Sequence, residues 1–350
     1  MYDDKKLLTV IVPSYNMEMY LPKCLGSLVV GNKELLQKLD VIVVNDGSKD
    51  RTSEIAHEFE KKYNGVFRVI DKVNGNYGSC INAALPIAYG KYIKVLDADD
   101  WFETANFERF LSKLMNATDD VVLTDFELVD LNGNVIESHR NILNVGTRNV
   151  SQFSEELCSH LPMPSITYRL SLLKEIEYRQ TEGIAYTDQE WDYMPMSLAS
   201  TCSYFPFVVY KYVMGREGQT CSSTQRLKQV GVETQIALRI LRFYLENKGV
   251  FHPDARRYMR TRMLYRVRRI YSYFLLEYRK ALLLHDLMSY DHRIKELDSQ
   301  IYDEVGEVAL SSKLHFHFIR EWRKKRSRNT FKFLTFLAYV KAMRLLRRFF

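Results

Sequence analysis

Five short apolar runs separated by helix-like stretches fill the first 130 residues, and this alternation constrains the fold more than any other feature of the chain. The runs are Leu8–Val12, Val41–Val44, Phe67–Ile70, Tyr92–Leu96 and Val121–Thr124. Strands alternating with helical segments predict an α/β sheet with crossover helices. The first, second and fourth runs stop abruptly in polar residues: Pro13-Ser14-Tyr15-Asn16, Asn45-Asp46-Gly47-Ser48 and Asp97-Ala98-Asp99-Asp100. Ligands of open parallel sheets bind just beyond the carboxyl ends of the strands, so these clusters predict one shared crevice.

From about Asp130 to Thr224 the pattern is irregular, with a hairpin turn at Asn132-Gly133 and a strand or strand pair over Tyr204–Val213. This section is expected to complete the sheet and wall the crevice. From Gln225 the texture turns helical: Val230, Thr234, Ala237, Leu241 and Leu245 recur at helical spacing. A helix end is read at Asn247-Lys248-Gly249, and Pro253-Asp254 opens an amphipathic stretch reaching about Met288. The expected division is 1–224, with halves 1–130 and 131–224, followed by a helical region 225–350.

Three segments carry chemistry. In Asp97-Ala98-Asp99-Asp100, two carboxylates two positions apart at a strand end can reach a hard divalent cation that keeps other sites for water and phosphate. The same stretch also reads as a helix start, with Asp100 as N-cap and Glu103 three residues on. In the second segment, Asp46 at a strand tip can accept the N–H of a pyrimidine ring while Gly47 permits close backbone approach. Taken alone, the segment reads more readily as a plain turn with Ser48 or Asp50 capping the next helix. The third, Asn74-Gly75-Asn76-Tyr77-Gly78-Ser79, places glycines ahead of a helix N-terminus, which suits a diphosphate. It lacks the P-loop lysine and the G-x-G-x-x-G order, which argues against ATPase and dinucleotide-binding classes.

Taken in order, Val12-Pro13-Ser14-Tyr15-Asn16, Asn45-Asp46-Gly47-Ser48, Asn74-Gly75-x-x-Gly78-x-x-x-Asn82 and Leu96-Asp97-Ala98-Asp99-Asp100 resemble the family 2 glycosyltransferases of bacterial cell-surface polysaccharide synthesis. The likeness covers residues 7–130 and continues to about 224. It implies a GT-A fold, a Rossmann-like nucleotide-binding mixed sheet with flanking helices, here followed by the C-terminal helical region. By the same resemblance, Pro13, Tyr15, Asn16, Asp46 and Gly47 hold the nucleobase. Asn74, Gly75, Gly78, Ala98 and Arg216 belong with the nucleotide and its diphosphate. Asp97 contacts the ribose or a metal-bound water, and Asp99 ligates Mg²⁺ or Mn²⁺. Asp188 is the implied base, with Glu190 as the alternative because Thr187 stands where the family usually has Glu. Trp191 is offered as a stacking surface for an acceptor sugar, against the alternative of a core tryptophan. The implied reaction is inverting transfer from a nucleotide sugar, UDP-linked first, to a glycan or lipid-linked acceptor. The rival readings are a sugar-1-phosphate nucleotidyltransferase, whose Gly-rich loop ending in Arg is missing here, and a non-catalytic nucleotide-sugar-binding protein, against which all four acids are retained.

Charge and composition bound the setting. With 46% hydrophobic and 27% charged residues the chain is globular in class. Five cysteines without C-x-x-C spacing suggest neither a disulfide framework nor a zinc site. The acidic start predicts no secretion signal, and no window reads as a spanning helix, so a cytoplasmic protein is expected. The net charge is +7, yet Arg320–Phe350 holds eleven Lys/Arg against Glu321 alone, leaving the remainder negative. This basic excess, with Arg323-Lys324-Lys325-Arg326 and an amphipathic end carrying Lys341, Arg344, Arg347 and Arg348, predicts a peripheral contact with an anionic membrane. Packing on protein, including a homo-oligomer through the C-terminal helices, is the alternative. The arginines from Arg256 to Arg269 are a weak nucleic-acid signal, and no nucleic-acid partner is expected.

Overall fold

The computed structural model describes residues 6–140, 146–150, 161–216, 229–277, 284–307, 316–327 and 331–346. Among the described residues ten strands lie in one mixed sheet: β1 (Leu8–Ser14), β2 (Leu39–Asn45), β3 (Phe67–Asp71), β4 (Tyr92–Val95), β5 (Trp101–Phe102), β6 (Val121–Val129), β7 (Val135–His139), β8 (Gly146–Asn149), β9 (Ile166–Arg169) and β10 (Thr201–Val213). Their order is β3-β2-β1-β4-β9-β6-β10-β5, with β7 against β6 and β8 against β10. The pairs β3–β2, β2–β1 and β1–β4 are parallel, and β9 is antiparallel to both β4 and β6.

Every residue of β1, β2 and β4 is buried. Helices cover both faces of a parallel sheet, so its central strands read as unbroken apolar runs. The register aligns Ser14 with Asn45 and Ile11 with Val95. The three polar clusters that follow these strands therefore end at one level, and the chain leaves β1 for neighbours on opposite sides. That is the topological position at which such sheets open a crevice.

The second half of the sheet depends on long-range pairing. β10 runs parallel to β6, with Cys202 opposite Val121, and the predicted turn at Gly133, φ +88°, joins β6 to β7. The chain divides into two compact units, 1–222 with 247–260, and 223–246 with 261–350. The return of 247–260 to the first unit departs from the single break expected at 224. Its cause is a set of hydrogen bonds: His252 N–H to the Ser197 carbonyl (2.9 Å), Tyr258 Oη to the Asp192 carbonyl (2.9 Å) and Tyr193 Oη to the Met259 carbonyl (2.9 Å).

In the second unit, Tyr271, Tyr290 and Trp322 are fully buried and packed together. Beside them Asp291, 1% exposed, accepts from Tyr271 Oη (2.6 Å), Arg323 Nε (2.7 Å) and Arg326 (2.5 Å). A buried carboxylate requires such partners. Arg323 is thus committed inside the protein and Arg326, though exposed, is paired with the same carboxylate, so two of the four cations of that run are engaged by Asp291. Arg262 is buried as well, so the arginines of helix Arg256–Ser272 do not form one exposed basic face. Arg347, Arg348 and the side chain of Arg344 lie outside the described residues. No described helix is long and apolar enough to cross a membrane. Cys24, Cys80 and Cys202 are free thiols; Cys158 and Cys221 lie outside the described residues.

Candidate active site

The loop after β4 gathers acids. One oxygen from each of Asp97, Asp99 and Asp100 lies within 4.8 Å of the others. Asp100 is buried and already satisfied, accepting from Tyr210 Oη (2.6 Å) and Val213 N–H (2.7 Å). The capping box read from sequence is therefore wrong. Glu103 caps the helix Thr104–Leu114 through the N–H of Asn106 (2.7 Å), and Asp100 instead ties the loop to β10. Asp97 Oδ1 accepts from Tyr77 Oη (2.9 Å), and Asp99 pairs with Arg216 Nε (2.7 Å). Burial, then the charge of Asp99, pushes the Asp97 carboxyl up to about 7, with Asp188 adding to the rise and Tyr77 and Arg216 opposing it. Asp97 and Asp99 are both partly open. Two neighbouring hard oxygen donors whose repulsion is relieved only in part fit a Mg²⁺ or Mn²⁺ ion, which needs few protein ligands.

The loops after β1 and β2 are zipped together by side chains. Asn16, φ +54°, donates its N–H to Ser48 Oγ (3.0 Å) and accepts Lys49 N–H on Oδ1 (2.9 Å), while Met17 N–H reaches Thr52 Oγ1 (2.7 Å). Tyr15 stands exposed beside this zipper and Pro13 is buried at the strand end. Asp46 is buried, and Lys72 Nζ (2.7 Å), Gly75 N–H (2.9 Å) and Ser79 Oγ (3.4 Å) converge on its Oδ1. Its carbonyl accepts from Asn74 Nδ2 (2.9 Å). Gly47 adopts φ +73°, where a Cβ would also press on Asn74 N at 3.0 Å, so glycine is required there.

Asp188 opens the short helix Asp188–Trp191, reached through Tyr186 at φ +61°, a conformation unusual for a residue of that bulk. The segment before it is held from outside. Asn82 Nδ2 donates to the Gln180 carbonyl (2.9 Å) and to Glu182 (2.8 Å), and its Oδ1 accepts Gln180 N–H (2.9 Å). Gly78, one turn earlier on helix Asn76–Ala84, lies so close that a Cβ would sit 2.1 Å from the Thr181 carbonyl oxygen. Glu190, fully buried, accepts from Thr181 N–H (2.8 Å) and Thr181 Oγ1 (2.7 Å).

The profile of the family described as Glycosyl transferase family 2 matches residues 9–177. Those residues form a family 2 glycosyltransferase domain. An uncharacterized glycosyltransferase of Mycoplasma pneumoniae is 42% identical over 107 residues, 30% of this chain and 35% of that protein. The minor teichoic acid biosynthesis protein GgaB of Bacillus subtilis is 35% identical over 105 residues, 30% of this chain and 11% of GgaB. The aligned stretches thus span a minor part of either relative. In three dimensions, residues 1–349 of S. aureus TarS, crystallised with UDP-GlcNAc, superpose with a TM-score of 0.65 at 19% identity, covering 93% of each chain. The GT-A fold expected from sequence is the fold observed.

Electrostatically the structure links Asp97 and Asp99, inside the matched residues, with Asp188 and Arg216, which lie beyond them. It does not bring Trp191 to them. That side chain is fully buried, edge-on to Tyr168 and Tyr178, because it packs the underside of its own short helix, so it offers no surface to a sugar. Gly78 likewise serves the approach of Thr181 rather than a phosphate, and Ala98 is buried beneath the acidic loop. Asn16 and Asp46 spend side-chain oxygens on the protein itself. Sequence reasoning missed Tyr77, Lys72 and Thr181. Tyr77 sat unassigned inside the third motif, whereas nothing local to Lys72 or Thr181 signals their distant partners.

Proposed function

We propose that the protein is an inverting glycosyltransferase that moves a sugar from a UDP-sugar to a hydroxyl of a glycan or lipid-linked acceptor. One observation supports the reading: beside the neighbouring acids Asp97 and Asp99, the charge of Asp188 lies near enough to add to the upward shift of the Asp97 carboxyl. Asp97 and Asp99 are the residues that would hold Mg²⁺ or Mn²⁺, and such an ion supplies charge neutralisation for a leaving diphosphate. Arg216, freed from Asp99, offers a fixed guanidinium fork to the same phosphates. Asp188 accepts the proton of the acceptor hydroxyl, which attacks the anomeric carbon from the face opposite the diphosphate, so a single displacement inverts the centre. Glu190 is a poorer base because both its oxygens accept from Thr181 in a fully buried position.

UDP is favoured by the UDP-GlcNAc complex of TarS, which shares this fold, and a cell-surface polymer acceptor by the role named for GgaB. The helix Phe331–Leu346, with the basic residues after it, is the segment proposed to meet an anionic membrane. A thermal-shift panel of UDP, GDP, CDP, dTDP and ADP, each with and without Mn²⁺, tests the donor reading, with stabilisation by UDP plus Mn²⁺ expected. No stabilisation by any nucleotide would refute it. Asp188→Asn should abolish transfer, about a 10²–10⁴-fold loss, while keeping nucleotide binding. Co-sedimentation of the full chain with anionic but not neutral liposomes at low salt tests the membrane contact.

A further inference from the structure

Glu190 poses a problem that the proposed reaction leaves open. It is a fully buried acidic side chain two residues beyond Asp188, in a place where an apolar side chain would cost less. Its two oxygens are both used, one by the N–H and one by the hydroxyl of Thr181. Thr181 belongs to a strap, Gln180–Glu182, that is gripped on its other side by the helix Asn76–Ala84. Asn82 takes both the N–H and the carbonyl of Gln180, and Gly78 lets the Thr181 carbonyl approach to a separation that no side chain would permit. Thr187 Oγ1, immediately before Asp188, donates to Gln180 Oε1 (3.2 Å). The strap is therefore bonded to the residues on either side of Asp188 and to the helix whose Tyr77 touches Asp97.

We infer that Glu190, Thr181 and Asn82 form a positioning bracket that sets the height of Asp188 above the acidic loop, with Glu190 acting through hydrogen-bond geometry and taking no proton from the acceptor. The inference rests on the transferase reading of the site. It follows from how the bracket is built: the helix Asp188–Trp191 is four residues long and its N-cap side chain makes no capping bond to its own helix, so its orientation comes from outside. The distance between base and acceptor oxygen is sensitive to shifts of about 1 Å, which cost on the order of 10²-fold in rate.

The chemistry of glutamine separates this role from that of a base. In Glu190→Gln the amide oxygen still accepts the Thr181 N–H, and the amide nitrogen donates to Thr181 Oγ1, whose hydroxyl rotates to accept. Both bonds survive while basicity is lost. Glu190→Ala loses both. The experiment measures UDP release by the full chain from UDP-glucose, UDP-galactose and UDP-N-acetylglucosamine with Mn²⁺, across pH, together with calorimetric UDP affinity and melting temperature. Glu190→Ala, Thr181→Val and Asn82→Ala should lower kcat about 10-fold to 10²-fold with UDP affinity within twofold of the wild type. Glu190→Gln should remain within about fivefold of the wild type, and Asp188→Asn should be inactive. A Glu190→Gln variant as inactive as Asp188→Asn would make Glu190 the base and overturn the inference. So would a Glu190→Ala variant that melts lower yet keeps wild-type kcat per folded molecule, since the carboxylate would then serve stability alone. Failure of the transferase reading shows separately, in the wild-type arm: no UDP binding and no release from any of the three donors, in which case the inference falls with it.

Discussion

Replacing Gly78 by alanine is the sharpest single test of how the two halves of the site are joined. The added methyl carbon would lie 2.1 Å from the Thr181 carbonyl oxygen and 3.1 Å from the Gln180 side chain. A tolerable carbon–oxygen contact begins about 1 Å farther out, and the obstacle is backbone, so the strap must move by roughly that amount. Overpacking of this kind costs about 1–3 kcal/mol. Moving the strap also strains the pair of bonds between Asn82 and Gln180, each contributing about 0.5–1.5 kcal/mol. For a domain of this size, at about 2–4 °C per kcal/mol, the overpacking alone should lower the melting temperature by about 2–12 °C. Because the strap carries Glu190 and through it Asp188, kcat for UDP release should fall about 10²-fold, with UDP affinity less affected. Differential scanning fluorimetry and a coupled UDP-release assay read both quantities. A Gly78→Ala protein with wild-type melting temperature and turnover would refute the claim that helix and strap are in obligatory contact.

Other perturbations bear on the acids and on two lysines. Asp97→Asn and Asp99→Asn should each abolish the Mn²⁺-dependent part of stabilisation by UDP in a thermal-shift titration, whereas Asp100→Asn should chiefly lower the melting temperature, since Asp100 binds Tyr210 and Val213. Lys72→Met removes the ion-pair partner of a buried carboxylate, and urea unfolding should show a loss of about 3–5 kcal/mol, less whatever solvent recovers at the partly exposed lysine. Lys94 is fully buried, donates to the carbonyls of Pro164 (2.7 Å) and Ile166 (3.1 Å) and lies over the Tyr210 ring, and burial pushes its ammonium down to about 7. Unfolded lysine titrates near 10.4, so between those pH values the unfolded chain binds the extra proton and folding stability rises with pH. The stability difference between the wild type and Lys94→Met, measured in urea at pH 7, 8 and 9, should change by about 1 kcal/mol per pH unit in favour of the wild type, and a flat difference would show that Lys94 keeps its proton.

The parallel half of the sheet was legible in sequence because its physics is local. Strands buried on both faces must be apolar throughout, and they must end where the chain meets a polar crevice, so β1, β2 and β4 announce both their extent and their function. The other half was not legible. β10 pairs with β6 across some eighty residues, and the segment 247–260 folds back onto the first unit through bonds to Ser197, Asp192 and Tyr193. Neither fact leaves a periodic trace. The misread cap has the same origin: Asp100 and Glu103 have the spacing of a capping box, but spacing cannot reveal that Asp100 is claimed by Tyr210 far along the chain.

The acids themselves were found by type and position, yet their roles divide according to partners that sequence does not display. Asp97, Asp99 and Asp100 look equivalent in a row of letters, while in space one leans on Tyr77, one on an arginine and one on β10. The helix Asn76–Ala84 resolves why a motif of asparagine and glycine runs through this region. Tyr77 touches Asp97, Gly75 donates to Asp46, and Gly78 with Asn82 holds the strap that leads to Asp188. A glycine that appeared to make room for phosphate makes room for backbone instead. One helix with its N-cap thereby ties together the loop after β2, the paired acids and the strap that leads to Asp188. It follows that changes on its different faces should separate kinetically: those at Gly78 and Asn82 in turnover, and those at Gly75 in nucleotide affinity.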